Sequence, residues 1–452
     1  MSIVRPGSGK RVALIHPDLG IGGAERLVVD AALELSALGY EVVMYTGYHS
    51  VDRCFEETLG EGGKRADWVR VYGSWMPRHV CGRLHALFAN LRCLWATVAL
   101  LLHERNLSIV IVDQVSAPIL LLRAFASTGV VFYCHFPDML LAKHDSVFRR
   151  LYRAPLDFFE QATTGMAHKT LVNSLFTADT FARTFCTLYQ SGGPQPGILY
   201  PAVATNHSPR EAEGTAASIR TDGDDKTGLF LSINRFERKK NLSLALRAYA
   251  SYRQNTVSVP GHKTQLVLAG GYDKRLRENV EYLLELKREA RDLGISSEVV
   301  FSPSISAEEK ADLLARCLCV MYTPENEHFG IVPLEAMAAG KPVLACNSGG
   351  PVESIVDGVT GFLCAPVAEE FAAAMQKIGE DPDTAARMGL LARLHVDEKF
   401  SRRAFGVQLH HHFAGLGQKH GRATSTSSNG KIYFCMACLL LVAVLVSLVQ
   451  TR

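Results

Sequence analysis

Glu327 and Glu335 stand eight residues apart in the stretch Tyr322-Thr-Pro-Glu-Asn-Glu-His-Phe-Gly-Ile-Val-Pro-Leu-Glu335, around a Phe-Gly turn and an apolar segment opened by Pro333. Proline is favoured at the first helical position, so the segment from Pro333 is predicted to be a helix closed by Gly340. The amides of Phe329, Gly330 and Ile331 would then lie at the positive helix end, where a phosphate binds readily. Glu335, one turn in, could hold a ribose, and Glu327 at the loop tip a sugar. The dipole alone favours a glutamate in a first turn, so the pair gains its weight from Asn326, His328, Phe329, Gly330 and Pro333 around it. Asn347-Ser-Gly-Gly-Pro351 follows closely. Eight helical steps leave the two side chains about 80° apart, with Pro333 between them, which fits poorly with a hydrolytic carboxylate pair. The pattern suits a receptacle for a nucleotide sugar.

Two further clusters carry charge or close backbone approach. Leu231-Ser-Ile-Asn-Arg-Phe-Glu-Arg-Lys-Lys-Asn241 ends a strand with cations, at the edge where open α/β sheets take ligands. Arg235 offers a planar fork and Lys240 a point charge, a combination suited to a diphosphate. Arg238 and Lys239 read as solvated charge, and Asn241 as the cap of a helix from Leu242. Gly20-Ile-Gly-Gly-Ala-Glu25 approaches a dinucleotide fingerprint but has Glu25 at the third glycine position, and the next strand lacks a ribose-binding acid, which argues against a nicotinamide cofactor. Gly22 and Gly23 either let amides approach an anion or simply make a tight turn. His135 in Phe132-Tyr-Cys-His-Phe-Pro-Asp138 ends a buried strand, and reads either as a satisfied core histidine or as a group turned to a ligand. Asp222-Gly-Asp224 lies in a polar stretch and reads as solvated charge. No metal site and no cofactor are expected.

The elements that must position these residues come in two sets. A chain of 452 residues exceeds a single core, so two domains are expected. A net charge of +3, with 48% hydrophobic and 21% charged residues, describes a globular protein with no call for nucleic acid. Eleven cysteines without pairing rhythm suggest reduced thiols; Cys435-x-x-Cys438 reads as packing or acylation. Strand, glycine loop, helix and strand from Arg11 to Tyr45 form a doubly wound α/β unit, continued at Ile109–Val112, Val130–Cys134 and Lys169–Val172. After a polar linker, Leu229–Ile233, Leu266–Ala269, Val299–Phe301, Cys319–Tyr322 and Pro342–Ala345 make a second. The expected fold class is α/β, with two Rossmann-like domains facing a cleft in the GT-B arrangement. The divisions are 1–203 for an acceptor-side domain, 204–227 for the linker, 228–414 for a nucleotide-sugar domain with a return helix, and 415–431 for a tether. Residues 432–449 form an apolar run about 27 Å long as a helix, matching a bilayer core of roughly 27 Å. That run reads as a C-terminal transmembrane anchor, with the catalytic bulk on the basic, cytosolic side. Leu84–Leu102 is helical and apolar, with Arg92 too costly for a span. It reads as either a buried domain helix or a surface docked on lipid.

At these residues the chain resembles glycosyltransferase family 4, the retaining GT-B enzymes. The segments that carry the likeness are Gly20-Ile-Gly-Gly-Ala-Glu-Arg-Leu-Val, His135-Phe-Pro-Asp, Tyr152-Arg-Ala-Pro, Thr164-Gly-Met-Ala, Ser232-Ile-Asn-Arg through Lys240-Asn-Leu, Asn326 through Met337, and Asn347-Ser-Gly-Gly-Pro. The resemblance covers roughly residues 11–400 and implies α-1,3 and α-1,6 mannosyl transfer from GDP-mannose. The acceptor it implies is a mannosyl-chitobiosyl diphosphate on dolichol, at the cytosolic face of the endoplasmic reticulum membrane. By the same resemblance, Arg235 and Lys240 would bind the donor diphosphate, with the amides of Phe329, Gly330 and Ile331. Glu327 would contact mannose hydroxyls, Glu335 the ribose, His135 the sugar near the reacting carbon, and Gly22 and Gly23 the phosphate. The interval from Arg235 to Lys240 is one residue shorter than is common in the wider family. Another sugar donor or lipid acceptor, or a GT-B nucleotide-sugar epimerase, would keep many of these motifs. Neighbouring mannosyltransferases are open as partners.

Overall fold

The computed structural model describes residues 7–80, 84–142, 145–190, 195–205, 228–255 and 263–416. The polar stretch 206–227, the greater part of the tether, the apolar segment Ile432–Val449 and the pair Cys435 and Cys438 lie outside the described residues. The chain forms two compact units. One runs to Tyr200 and takes in the chain again from Phe405, and the other is Pro201–Ala404.

The first unit is built on seven parallel strands: β1 Arg11–His16, β2 Glu41–Thr46, β3 Val69–Val71, β4 Ile109–Asp113, β5 Gly129–Cys134, β6 Lys169–Val172 and β7 Gly197–Ile198. Their order across the sheet is β3-β2-β1-β4-β5-β6-β7. β4 and β5 are buried along their whole length, which is why they read as unbroken apolar runs rather than as alternation. Ala13, Ile15, Val110, Val112, Val130 and Phe132 share one core with the helices above them. β1 lies between β2 and β4, with Ile15 opposite Val112. The order therefore reverses between β1 and β4, and ligands of open α/β sheets collect at the carboxyl ends of such a switch point.

The second unit repeats the scheme with six parallel strands: β8 Gly228–Ile233, β9 Thr264–Gly270, β10 Val299–Pro303, β11 Cys319–Tyr322, β12 Val343–Cys346 and β13 Gly361–Cys364. Their order is β10-β9-β8-β11-β12-β13, so the switch point falls between β8 and β11. The strands missing from the sequence reading are β3, β7 and β13, of three, two and four residues, all at sheet edges. So few residues leave no periodicity to detect. The eight cysteines among the described residues are all free thiols.

Two local expectations are corrected, and one left open is narrowed. The helix expected from Pro333 begins at Ile331 and ends at Ala338. Gly330, at φ 85°, turns the chain into it, so proline occupies the third position rather than the first; Gly340 closes the segment at φ 72°. Asn241 does not cap by its side chain. It stands in the left-handed region after a short turn Arg238–Lys240, and its amide faces Glu325 at 3.5 Å. Of the two readings for Leu84–Leu102, the domain helix is borne out on the side that faces the core, while Trp95 and Leu102 stay exposed. His85–His103 is long and apolar enough to cross a membrane, yet Ala96, Ala99 and Leu100 lie in the core of the first unit. Arg92, buried in that helix, is held by Asp18 at 2.5 and 3.1 Å.

Candidate functional site

In the first unit the candidate residues gather at the carboxyl ends of β1, β4 and β5. β1 runs into the loop that carries Gly22 and Gly23, and the helix Gly23–Ala37 starts there with Gly22 in extended backbone. A Cβ at Gly23 would meet nothing within 4 Å, whereas one at Gly22 would meet only the flexible end of Glu25. The loop thus has open space at Gly23, where the long helix starts and an anion can come close, while the Glu25 carboxylate already lies over Gly22.

His135 follows β5 and its Nε2 lies 2.9 Å from Asp113 Oδ1. The other oxygen of Asp113 lies 2.8 Å from Nδ1 of His16. Asp113 and His16 are fully buried, and His135 is partly exposed. The arrangement follows from register: Ile15 pairs with Val112, so the next residues of β1 and β4, His16 and Asp113, are neighbours. Burial pushes the Asp113 carboxyl upward, but the two imidazoles outweigh it and hold it below its ordinary value. His135 is also held through its carbonyl, which accepts from Asn173 Nδ2 at 3.1 Å. A carboxylate bound to one ring nitrogen sets the orientation of an imidazole. Sequence reasoning missed His16 and Asp113, although each is a polar residue ending an apolar strand, which is the signal that singled out His135.

In the second unit, the Lys240 ammonium forms an ion pair with Glu327. The lysine side chain is 11% exposed and the glutamate 24%. The carbonyl of Lys240 accepts from Thr323 Oγ1 at 2.8 Å, tying the chain after β8 to the chain after β11. Burial raises the Glu327 carboxyl, but the hydrogen bond and charge of Lys240, with His328 and Lys239, bring it below its ordinary value. Burial pushes the neighbouring Tyr322 phenol well up, and the Glu327 charge adds to that. Burial also lowers His328, with Lys240 and Lys239 adding to it against the opposing pull of Glu327.

Asn347–Pro351 holds the Glu327 loop from below. Gly350 donates its amide to the Glu327 carbonyl at 2.8 Å, and Ser348 Oγ accepts from the Asn326 amide at 3.0 Å. A Cβ on Gly350 would stand 2.2 Å from the Phe329 carbonyl oxygen, and one on Gly349, at φ 66°, 2.4 Å from that of Glu327. The double glycine lets two backbones touch. Phe329 is buried and Ile331 half-exposed, and their amides with that of Gly330 lie at the start of the Ile331–Ala338 helix.

The remaining residues are near but engaged. Arg235, largely exposed, pairs with Glu237 at 2.8 Å. It lies over Gly271, where a Cβ would come within 3.0 Å of its Cγ. Glu335 pairs with Lys310 at 2.5 Å. Arg238 turns to Glu285 and Lys239 to Glu237. The structure therefore brings Lys240 to Glu327, which precedes the Phe329–Ile331 amides by two residues along the same loop, and sets Glu335 one helical turn on with a lysine partner. His135, Gly22 and Gly23 belong to the first unit. Gly271, Thr323 and Lys310 were not legible as site residues, since their roles come from strand order.

Two Rossmann-like units with these motifs define a GT-B glycosyltransferase. Residues 21–187 match the family described as Glycosyltransferase Family 4, and residues 218–395 match Glycosyl transferases group 1. Among solved structures, sucrose-phosphate synthase from Thermosynechococcus elongatus aligns over 90% of this chain and 99% of its own, with a TM-score of 0.65 at 21% identity. Anabaena HepE in complex with UDP and glucose aligns over 90% of this chain and 100% of its own, with a TM-score of 0.58 at 20% identity. At such identities the likeness concerns the fold. Curated relatives go further: Alpha-1,3/1,6-mannosyltransferase ALG2 of Homo sapiens is 45% identical over 409 residues, covering 90% of this chain and 96% of that protein. The protein of the same name from Dictyostelium discoideum is 43% identical over 412 residues, covering 88% and 96%. This chain belongs to the ALG2 family of alpha-1,3/1,6-mannosyltransferases.

Proposed function

We propose that this mannosyltransferase moves mannose from GDP-mannose to a mannosyl-chitobiosyl diphosphate carried on dolichol, adding α-1,3 and α-1,6 mannoses in N-glycan precursor synthesis. It would work at the endoplasmic reticulum membrane with both units on the cytosolic side, held there by Ile432–Val449. The observation that carries the reading is the nearly buried Lys240 against Glu327 at the carboxyl edges of β8 and β11, beside the first amides of a helix. Relatives with 43–45% identity over most of their length support the choice of sugar.

In this reading Arg235, Lys240 and the amides of Phe329, Gly330 and Ile331 take the donor diphosphate. Glu327 takes mannose hydroxyls and Glu335 the ribose; Gly22 and Gly23 approach the phosphate. His135, oriented by Asp113, lies against the sugar near the reacting carbon. As the bond from the anomeric carbon to phosphate oxygen breaks, negative charge grows on the diphosphate and positive charge on the ring. Fixed cations and amide dipoles stabilise the former without reorganising, the effect that usually dominates catalysis. The departing phosphate oxygen takes the proton of the acceptor hydroxyl as that hydroxyl joins the same face of the carbon, so configuration is retained. The reading gives no role to a metal or cofactor. The arriving diphosphate would share Lys240 with Glu327, freeing the carboxylate to accept from sugar hydroxyls.

The test is incubation with labelled GDP-mannose or labelled UDP-glucose and a dolichol-linked monomannosyl acceptor, followed by sizing of the product. Two additions from GDP-mannose alone are expected. Incorporation from UDP-glucose instead, or none on the dolichol-linked acceptor, would overturn the assignment.

A further inference from the structure

The helix Val147–Thr164 in the first unit is turned inside out for a protein in water. Its inward side is polar. Arg153, buried, pairs with Asp138 at 2.8 Å and Asp157 at 2.7 Å. Glu160 accepts the amides of Asp138 and Met139 at 2.8 and 3.1 Å, and Thr163 meets Ser116 at 2.7 Å. Its outward side is apolar: Leu151 is 69% and Phe158 73% exposed, with Val147 likewise open. At about 100° per residue, Val147, Leu151, Pro155 and Phe158 fall within an arc of roughly 80°, one continuous stripe. The adjoining turn Asp138–Leu141 adds exposed Leu140 and Leu141, and Glu160 and Arg153 fasten that turn to the helix. By contrast, His85–His103 puts Ala96, Ala99 and Leu100 into the core and turns its buried Arg92 to Asp18, leaving Trp95 and Leu102 exposed.

We infer that this stripe, with Leu140 and Leu141, seats on the surface of a lipid bilayer. A helix that sends its charges into the protein and its leucine and phenylalanine outward gains only if the outer medium is apolar. The first turn carries exposed Arg150 about 60° from the edge of the stripe, a charge that complements anionic headgroups, whereas Arg149 faces away from the stripe and pairs with Asp145 at 2.6 Å. The surface is also continuous with the candidate site, since His135-Phe-Pro137 leads directly into the Asp138–Leu141 turn. A bilayer there would hold a lipid-borne acceptor with its diphosphate end at the His135 edge. That purpose rests on the proposed function, whereas the seating itself does not.

The test uses the full chain reconstituted in phosphatidylcholine vesicles with about one-fifth phosphatidylserine. Phe158→Trp is expected to add emission that brominated lipids quench, measured against the unsubstituted chain with its own three tryptophans. Leu151→Glu with Phe158→Glu is expected to lower transfer onto a long-chain acceptor held in vesicles by about tenfold. Transfer onto an acceptor with a short, water-soluble chain should stay within about twofold. Added emission that brominated lipids leave untouched overturns the inference, as does equal loss on both acceptors in a folded double variant. A change of oligomeric state in that variant with vesicle activity intact also overturns it, and marks the stripe as a protein interface. If the unsubstituted chain transfers no mannose at all, the functional reading fails, and the quenching still decides the seating.

Discussion

Lys240→Ala is the perturbation with the most to say about the donor site. The lysine is only 11% exposed, so little solvent screening dilutes its charge. Losing one preorganised contact to a developing anion costs about 3–4 kcal/mol, or 10² to 10³ in turnover. The same change strands Glu327. In the intact protein Lys240 holds the Glu327 carboxyl below its ordinary value against the pull of burial. A depressed folded-state value means stability that is fully present above the unfolded value of about 4.3, and is lost as pH falls through the lower folded one. Without the lysine, burial prevails and the carboxyl rises. Folding then takes up a proton, and stability declines as pH climbs past the unfolded value. The melting points of variant and parent should therefore lie close together near pH 4 and separate as pH approaches 7. Turnover is read as label passing from GDP-mannose to the lipid-linked acceptor, at a temperature where both proteins are folded. Transfer within about threefold of the parent, or a melting gap that does not change with pH, would refute the reasoning.

Two further outcomes are expected. Asp113→Asn removes the carboxylate that joins His16 to His135 and should lower turnover about 10- to 100-fold, with the KM for GDP-mannose little changed; a loss confined to KM would mean that the bridge does not position His135 for the reaction. Gly350→Ala forces a Cβ to within 2.2 Å of the Phe329 carbonyl oxygen, an overpacking cost of about 1–3 kcal/mol that should lower the melting point by several degrees, while Gly23→Ala, which meets nothing within 4 Å, should leave it unchanged.

Much of the fold was legible because its signals are local. Unbroken apolar runs at Ile109–Val112, Val130–Cys134 and Cys319–Tyr322 mark strands buried on both faces, and the structure has strands there. The helix after Phe329 was placed correctly but started two residues late, because Pro333 occupies the third position and Gly330 makes the turn. Edge strands of two to four residues left no pattern to find. The outward apolar stripe of Val147–Thr164 was also hidden. Periodicity shows that one face is apolar, but not which face the fold turns inward.

The amino-acid chain alone determined the chemistry on offer: a glycine loop after the first strand, cations after the strand that opens the second unit, and a glutamate loop entering a helix. Each depends on neighbours within about a dozen residues, so composition and spacing suffice to state it. The tertiary structure alone decided which of those groups meet. Lys240 reaches Glu327 across 87 residues of chain and His16 reaches Asp113 across 97. In both units this follows from a parallel sheet whose first strand lies beside its fourth, counted along the unit. Crossover connections place distant strand ends side by side, and no local pattern records which strands they will be.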